Sequence, residues 1–128
     1  LGRLDVRQAA AVFAAHRDDC ENLRKWLLRD VGIDHPLRDP LPEHVREEYE
    51  AALSRIGAYS IYRERFEAEG LRLTIEVGEE GNFFHRAFVH FVWTDGPVPK
   101  GHEPRGDDPD FTRYEPLGDG WFVRWGTM

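Results

Sequence analysis

The chain has 128 residues, 41% of them hydrophobic, and 24 acidic against 17 basic residues give it a formal net charge of −7. This length suits one domain, expected to cover residues 1–128, and the apolar content excludes wholesale disorder. The acidic balance argues against a nucleic-acid partner, which a basic face would attract, and no apolar run is long enough to span a membrane.

Two amphipathic helices are predicted in the N-terminal half. Over residues 5–29, apolar side chains recur at spacings of three and four, which places them on one helical face. The members of that face are Val6, Ala9, Phe13, His16, Cys20, Leu23 and Leu27. After a turn-rich linker, Pro42 suits the first position of a second helix over 43–56, where its missing N–H costs nothing.

The segment 58–68 fits two structures. Tyr59, Ile61 and Tyr62 favour a strand by propensity. The pair Arg63 and Glu67, four residues apart, favours continuation of the second helix instead. We favour the strand and keep the helix as the alternative.

Further strands are predicted in the C-terminal half. "LRLTIEV" (71–77) alternates apolar and polar residues, as in a strand with one wet face, and "FFHRAFVHFVW" (83–93) is apolar at both parities, as in a central strand. "FTRYEPL" and "GWFVRWGT" are expected to form a hairpin around "LGDG". The predicted architecture is α+β: two N-terminal helices packed on a curved antiparallel sheet of four or five strands, connected as a meander.

This element order and the closing "LGDGWFVRW" resemble the cystatin-like α+β folds, including the NTF2-like superfamily, whose last strands often follow a "dGW" turn. The resemblance covers most of the chain. It implies a curved sheet wrapped around a long N-terminal helix, with a cone-shaped pocket. Superfamily members include isomerases, dehydratases and non-catalytic binding modules, so the resemblance implies a pocket rather than a reaction. No motif matches position by position, and no site residue is carried over from it.

Two histidines on the predicted central strand are candidates for proton transfer. His85 and His90 are five residues apart, so they point to opposite faces of the sheet. His90 shares its face with Arg86 and Phe88, a combination that suits an anionic or carbonyl ligand. In an enzyme, His90 or His85 would carry the proton and Arg86 would stabilise charge. The alternative is that this face is simply solvated.

His16 and Cys20 form a weak candidate metal pair. They are four residues apart on the first predicted helix, so their side chains point the same way. A site needs one or two more ligands, for which His85 or His90 would have to face them. The alternative is a core histidine beside a buried thiol, and we therefore expect no metal and no other cofactor.

Cysteine content bears on the compartment. Cys20 is the single cysteine, which excludes an internal disulfide and fits a reducing cytosol. The chain begins with Leu1 rather than Met, so upstream residues are expected to be missing. A cytoplasmic location is the default expectation, and export stays open.

The stretch "TDGPVPKGHEPRGDDPD" (94–110) predicts a long acidic loop. It holds four prolines, three glycines and five acidic residues, and tryptophans stand before and after it. Long loops tend to be functional or disordered, and aromatic residues beside an adaptable loop suit partner binding. The candidate binding residues are Trp93, His102, Glu103, Asp107, Asp108, Trp121 and Trp125. The alternative is a solvated connection with aromatic residues in the core.

Taken together, these features favour a non-catalytic binding module that contacts a protein partner or a small apolar ligand. One version is an inhibitor or immunity-type protein that masks a basic partner. The alternative is a small NTF2-like pocket enzyme that uses a histidine as proton carrier. An exposed sheet edge also allows a homodimer.

Overall fold

A computed structural model describes residues 5–66, 70–81 and 86–128 of the chain. The helices are α1 (Val6–Ala15), α2 (Arg17–Arg29) and α3 (Glu43–Ile56), and the strands are β1 (Ser60–Phe66), β2 (Gly70–Gly81), β3 (Arg86–Thr94), β4 (Thr112–Gly118) and β5 (Trp121–Thr127). The helices pack on an open antiparallel sheet of five strands, so the predicted α+β class is confirmed.

The first predicted helix is two helices in the structure. They meet at His16, whose backbone angles (φ −121°, ψ 27°) leave the helical range. The break keeps the apolar face together, because Phe13 before it and Cys20 after it are both buried. His16 was predicted to share that face, but its side chain is 35% exposed and lies near Asp19.

The strand interpretation of 58–68 is confirmed for β1, while 67–69 lie outside the described residues. Gly57 ends α3 in the left-handed conformation (φ 83°), which only glycine adopts cheaply. Pairing with β2 then outweighs the helical charge pairs. Arg63 donates instead to the carbonyl oxygens of Leu27 (2.8 Å) and Ile33 (2.7 Å), which ties β1 to the end of α2.

The strand order is β1-β2-β3-β5-β4, so the predicted meander is wrong at its last step. β3 is central, as expected, but its second neighbour is β5 rather than β4. The physical reason is the long loop (residues 95–111), which carries the chain past one strand position. A tight turn at Asp119 (φ 55°) and Gly120 then returns β5 into the gap as the predicted hairpin.

Both faces of the sheet are largely covered. Inward residues of the strands join α1, α2 and α3 in one core cluster, with Phe91, Trp121 and Val123 at no more than 1% exposure. The opposite face was expected to be wet along 71–77, yet Thr74 on it is fully buried. We call this second face the outer face, because it lies on the opposite side of the sheet from the helices.

Two long side chains meet across this face. Neighbouring strands lie about 4.8 Å apart, so β5 and β1 are separated by roughly 14 Å of sheet. An arginine and a tyrosine side chain together span such a gap, and Arg124 Nη2 on β5 lies 3.3 Å from the hydroxyl oxygen of Tyr62 on β1. A β-bulge between Glu76 and Gly78 of β2 adds local twist. The outer face is therefore covered largely by the protein's own side chains.

Candidate functional site

The long loop and the β4–β5 hairpin enclose a groove of about 490 Å³, which we call the loop groove. Its lining is mainly apolar and aromatic. It includes Val98, Pro99, Tyr114, Pro116, Phe122 and Trp125. Val98 is 70% exposed, whereas Phe122 is 8% exposed, so the lining runs from an open rim to a closed floor.

Backbone hydrogen bonds give the long loop a defined course. His102 and Thr112 exchange two of them (2.8 and 2.7 Å), which pairs the middle of the loop with the start of β4. Arg105 and Asp108 exchange two more across the loop tip (3.0 and 2.8 Å). At the other end, Asp95 accepts from the amide of Leu71 at 2.8 Å. The loop is thus held at its base, middle and tip.

The predicted binding residues of the loop do not share one location. Glu103 lies at the loop groove, where Arg113 Nη2 is 3.3 Å from its Oε2. His102 instead lies beside Asp108, with Nε2 3.5 Å from Oδ2, and Asp107 is exposed. Of these four side chains, the structure places only Glu103 in the groove lining.

The three candidate tryptophans also occupy different environments. Trp125 is half-buried and lines the loop groove. Trp93 donates from Nε1 to the carbonyl oxygen of Asp119 at 3.2 Å, near the hairpin turn. Trp121 is 1% exposed and packs on Phe13, with ring centroids 5.3 Å apart. It therefore belongs to the core and does not form part of an exposed binding surface.

A row of polar residues crosses the outer face, one from each strand. In register across the sheet it consists of Ser60, Glu76, His90, Arg124 and Tyr114. Of these, sequence reasoning had singled out only His90. The others are ordinary polar residues at alternating strand positions, and their alignment depends on strand order and register, which no local pattern reveals.

The contacts of His90 fix its protonation state. Arg124 Nη2 lies 2.8 Å from His90 Nδ1, and a guanidinium can only donate. Nδ1 must therefore carry a lone pair, so His90 is neutral with its proton on Nε2, which lies 3.4 Å from Glu76 Oε2. Burial lowers the pKa of His90 below its usual value, and the charge of Arg124 lowers it further, while Glu76 acts in the opposite direction.

Glu76 is held in its ionised form. The hydrogen bond from His90 is the largest cause of a pKa below the usual glutamate value, and it outweighs partial burial. Ser60 and Tyr59 also donate to this carboxylate and lower its pKa. All three donors are uncharged, so the carboxylate keeps a full negative charge beside a neutral imidazole.

We expect the free energy of unfolding to fall as the pH drops below about 6.5, the pKa of an unfolded histidine. His90 has a lower pKa when folded, so the unfolded chain binds the extra proton. This stabilisation is fully present above the unfolded pKa and is lost as the pH falls through the folded pKa. The slope reaches up to about 1.4 kcal/mol per pH unit. Urea denaturation at a series of pH values measures it.

The matched variant for this experiment is His90→Gln. Glutamine keeps an acceptor for Arg124 and a donor for Glu76 but does not titrate, so the part of the slope that begins below about pH 6.5 should disappear. His102→Gln, on the exposed loop, should retain the slope. A slope that survives in His90→Gln would show that another group is responsible.

The remaining residues of the enzyme hypothesis are placed as follows. Arg86 is 43% exposed, and its Nε lies 3.2 Å from Glu79 Oε1. It makes no contact with His90 among those the structure gives. His85 lies outside the described residues. The arrangement therefore joins His90 to Glu76 and Arg124 rather than to the predicted partner.

The candidate metal pair is not assembled. Cys20 is fully buried, and burial, together with Asp19 and Glu21, raises the pKa of its thiol to about 12. Nδ1 of His16 lies 3.5 Å from Asp19 Oδ2. Within residues 5–66, 70–81 and 86–128, no group of three or more His, Cys, Asp or Glu side chains is placed to hold a metal ion.

Comparison with known proteins leaves the family open. No protein-family model, curated protein or solved structure matches the chain. The resemblance to the NTF2-like superfamily therefore stays a prediction, and the α+β class rests on the structure described above. In the described part of the chain, no helix has the length and apolar character needed to cross a membrane.

Proposed function

We propose that the protein is a non-catalytic binding module that takes an apolar side chain of a basic protein segment into the loop groove. The groove itself carries this proposal, because its walls are apolar and its rim leaves Val98 70% exposed. Concave apolar sites with few polar groups suit ligands and the anchor side chains of partners. An inhibitor or immunity-type protein that masks a basic partner would work in this way.

The charge around the groove favours a basic segment. Residues 95–110 hold five acidic and two basic residues, in a chain whose net charge is −7. Glu103 at the groove is 66% exposed and pairs with Arg113, and Asp108 outside the groove lining is 53% exposed, so the acidic excess that an approaching partner meets lies on the loop. Acidic charges of this kind steer a basic partner, and salt screens them. We therefore expect Lys or Arg beside the anchor and weaker binding at higher ionic strength.

A random peptide library selected on the immobilised protein should yield sequences with Lys or Arg beside an aromatic or large aliphatic residue. Val98→Asp should then lower the affinity for a selected peptide by about tenfold or more, equivalent to about 1.4 kcal/mol. The reason is that the substitution places a charge against the apolar anchor side chain. Isothermal titration calorimetry of one selected peptide against both proteins measures the difference.

Val31→Asp is the control, since Val31 is 85% exposed in the turn after α2. It should leave the affinity unchanged. Equal losses in the two variants, or a selected consensus rich in acidic residues, would contradict the proposal. A different set of results would identify the ligand as a small apolar molecule. In that case no peptide consensus emerges, the neutral dye Nile red binds saturably, and Val98→Asp abolishes the binding of the dye.

The alternative proposal is a small pocket enzyme of NTF2-like type with His90 as proton carrier. Its support is the hydrogen bond between Glu76 and His90, since a catalytic base is commonly oriented by a second group. For His90 to accept a proton from substrate, Arg124 must first leave Nδ1. This alternative therefore requires ligand-dependent changes in the ¹⁵N signals of His90, whereas docking in the loop groove leaves them unchanged.

A further inference from the structure

A second cavity, separate from the loop groove, opens at the opposite edge of the sheet, beside β1. It has a volume of about 240 Å³ and lies between the linker after α2 and strands β1 and β2. We call it the β1 pocket. Its lining residues are His35, Arg38, Ser60, Tyr62, Glu64 and Glu76. This volume is below the range of about 300–1,000 Å³ for pockets that hold drug-sized ligands, so the pocket suits a smaller molecule.

Glu76 brings a negative charge to the floor of the β1 pocket. Its carboxylate accepts from His90, Tyr59 and Ser60, and each of these donors is uncharged. A carboxylate offers about four acceptor positions, so capacity is left for a further donor. The side chain is 24% exposed, which leaves part of it accessible from the pocket. The charge on the floor is thus hydrogen-bonded without being neutralised by these partners.

The walls of the pocket suit a cation with an apolar body. The rings of Tyr62 and His35 lie 5.8 Å apart with their planes tilted by 33°, so both contribute aromatic surface to the pocket wall. The face of a tyrosine ring attracts cations. Glu64 lies two positions beyond Tyr62 on the same face of β1 and is exposed, as is Arg38. With Glu76, the pocket lining holds two carboxylates against one guanidinium, and the guanidinium of Arg124 lies just outside the lining, 3.3 Å from the Tyr62 hydroxyl.

We propose that the β1 pocket binds a small organic ammonium ion. The ammonium group donates to Glu76 and, at the mouth, to Glu64, while the apolar part of the ligand lies against Tyr62. Arg38 repels such a ligand and limits its affinity. This pairing of carboxylate and aromatic ring selects the charged nitrogen over a neutral group of the same size.

The test titrates the protein with 2-phenylethylammonium as the probe, and binding is monitored by two-dimensional NMR. The neutral counterpart is 2-phenylethanol, and phenylacetate is the anion. The ammonium ion should bind about tenfold more tightly than the alcohol, and phenylacetate should not bind. Glu76→Gln should weaken ammonium binding by about tenfold, because glutamine keeps an acceptor but not the charge. Glu115→Gln, an exposed glutamate on β4, should leave it unchanged.

Arg38→Gln separates this proposal from its alternatives. Removing the guanidinium should strengthen ammonium binding by about twofold or more. If Arg38→Gln weakens binding, or if phenylacetate binds most tightly, the pocket takes an anion or a zwitterion and the proposal is wrong. Equal binding of amine and alcohol also overturns it. Should Glu76→Gln not fold, Glu64→Gln replaces it, with an expected loss of about threefold. The proposed docking function can fail without affecting any of these results.

Discussion

Trp121→Ala is expected to lower the free energy of unfolding by about 3–5 kcal/mol, the usual cost of emptying a large aromatic site in a core. Trp121 is 1% exposed and packs against Phe13 of α1, so its removal leaves a cavity between the helices and the sheet. It also removes the hydrogen bond from the indole Nε1 to Glu21 Oε1 at 2.6 Å, which joins β5 to α2. Urea denaturation followed by far-ultraviolet circular dichroism measures the loss.

Trp121→Phe makes this prediction testable if the alanine variant does not fold. Phenylalanine keeps most of the packing and loses the donor to Glu21, so a loss of about 1–2 kcal/mol is expected. Trp125→Ala is the contrasting variant, because Trp125 is half-buried at the loop groove, and its cost should be smaller. If Trp121→Phe keeps full stability but no longer binds a selected peptide, Trp121 is a binding residue and its placement in the core is wrong.

The sequence predicted the class of fold well because local chemistry decides most of its elements. Alternating residues in 71–77 and the apolar run before Thr94 specify strands, and Pro42 with the stripe after it specifies α3. Strand order was not predictable in the same way. A meander is the default for consecutive antiparallel strands, and only the long loop makes room for β5 beside β3.

The candidate site was predictable only in part, and the reason is again register. The loop and its acidic residues are visible as a Pro- and Gly-rich segment, and Glu103 does lie at the groove. Tyr114 and Phe122, which line the same groove, look like ordinary strand residues until β4 and β5 are paired. Similarly, Glu76 and His90 become partners only because β2 and β3 pair in a particular register.

The two faces of the sheet differ in how far they are closed from solvent. The helix-covered face holds Phe91, Trp121 and Val123 in a closed core. The outer face carries the row of polar residues, and one cavity opens beside β1 and another beside β4. Because the two cavities lie at opposite edges of the sheet, the two proposed ligands would not compete for the same surface.

Gly126→Ala is the second substitution with a large expected effect, and it tests how the long loop is joined to the sheet. Gly126 lies on β5 between Phe88 of β3 and Thr112 of β4. A methyl group built there would lie far inside contact distance of the carbonyl oxygen of Phe111, so the end of the loop must move. That oxygen also accepts from the amide of Thr127 at 3.0 Å, a bond that the displacement would break.

Overpacking of this kind costs about 1–3 kcal/mol, and the lost hydrogen bond adds about 1 kcal/mol, so Gly126→Ala should lower the free energy of unfolding by about 2–4 kcal/mol. Faster hydrogen exchange at the Thr127 amide should accompany this loss, and affinity for a selected peptide should fall because Phe111 is the last residue of the long loop.

Gly106→Asn is the control. Gly106 lies in the same loop, nothing lies within 4 Å of its added carbon, and asparagine tolerates its positive φ. If Gly126→Ala changes neither the free energy of unfolding nor hydrogen exchange at the Thr127 amide, β5 and the end of the loop do not approach each other this closely. The loop groove would then lack the wall that this approach creates.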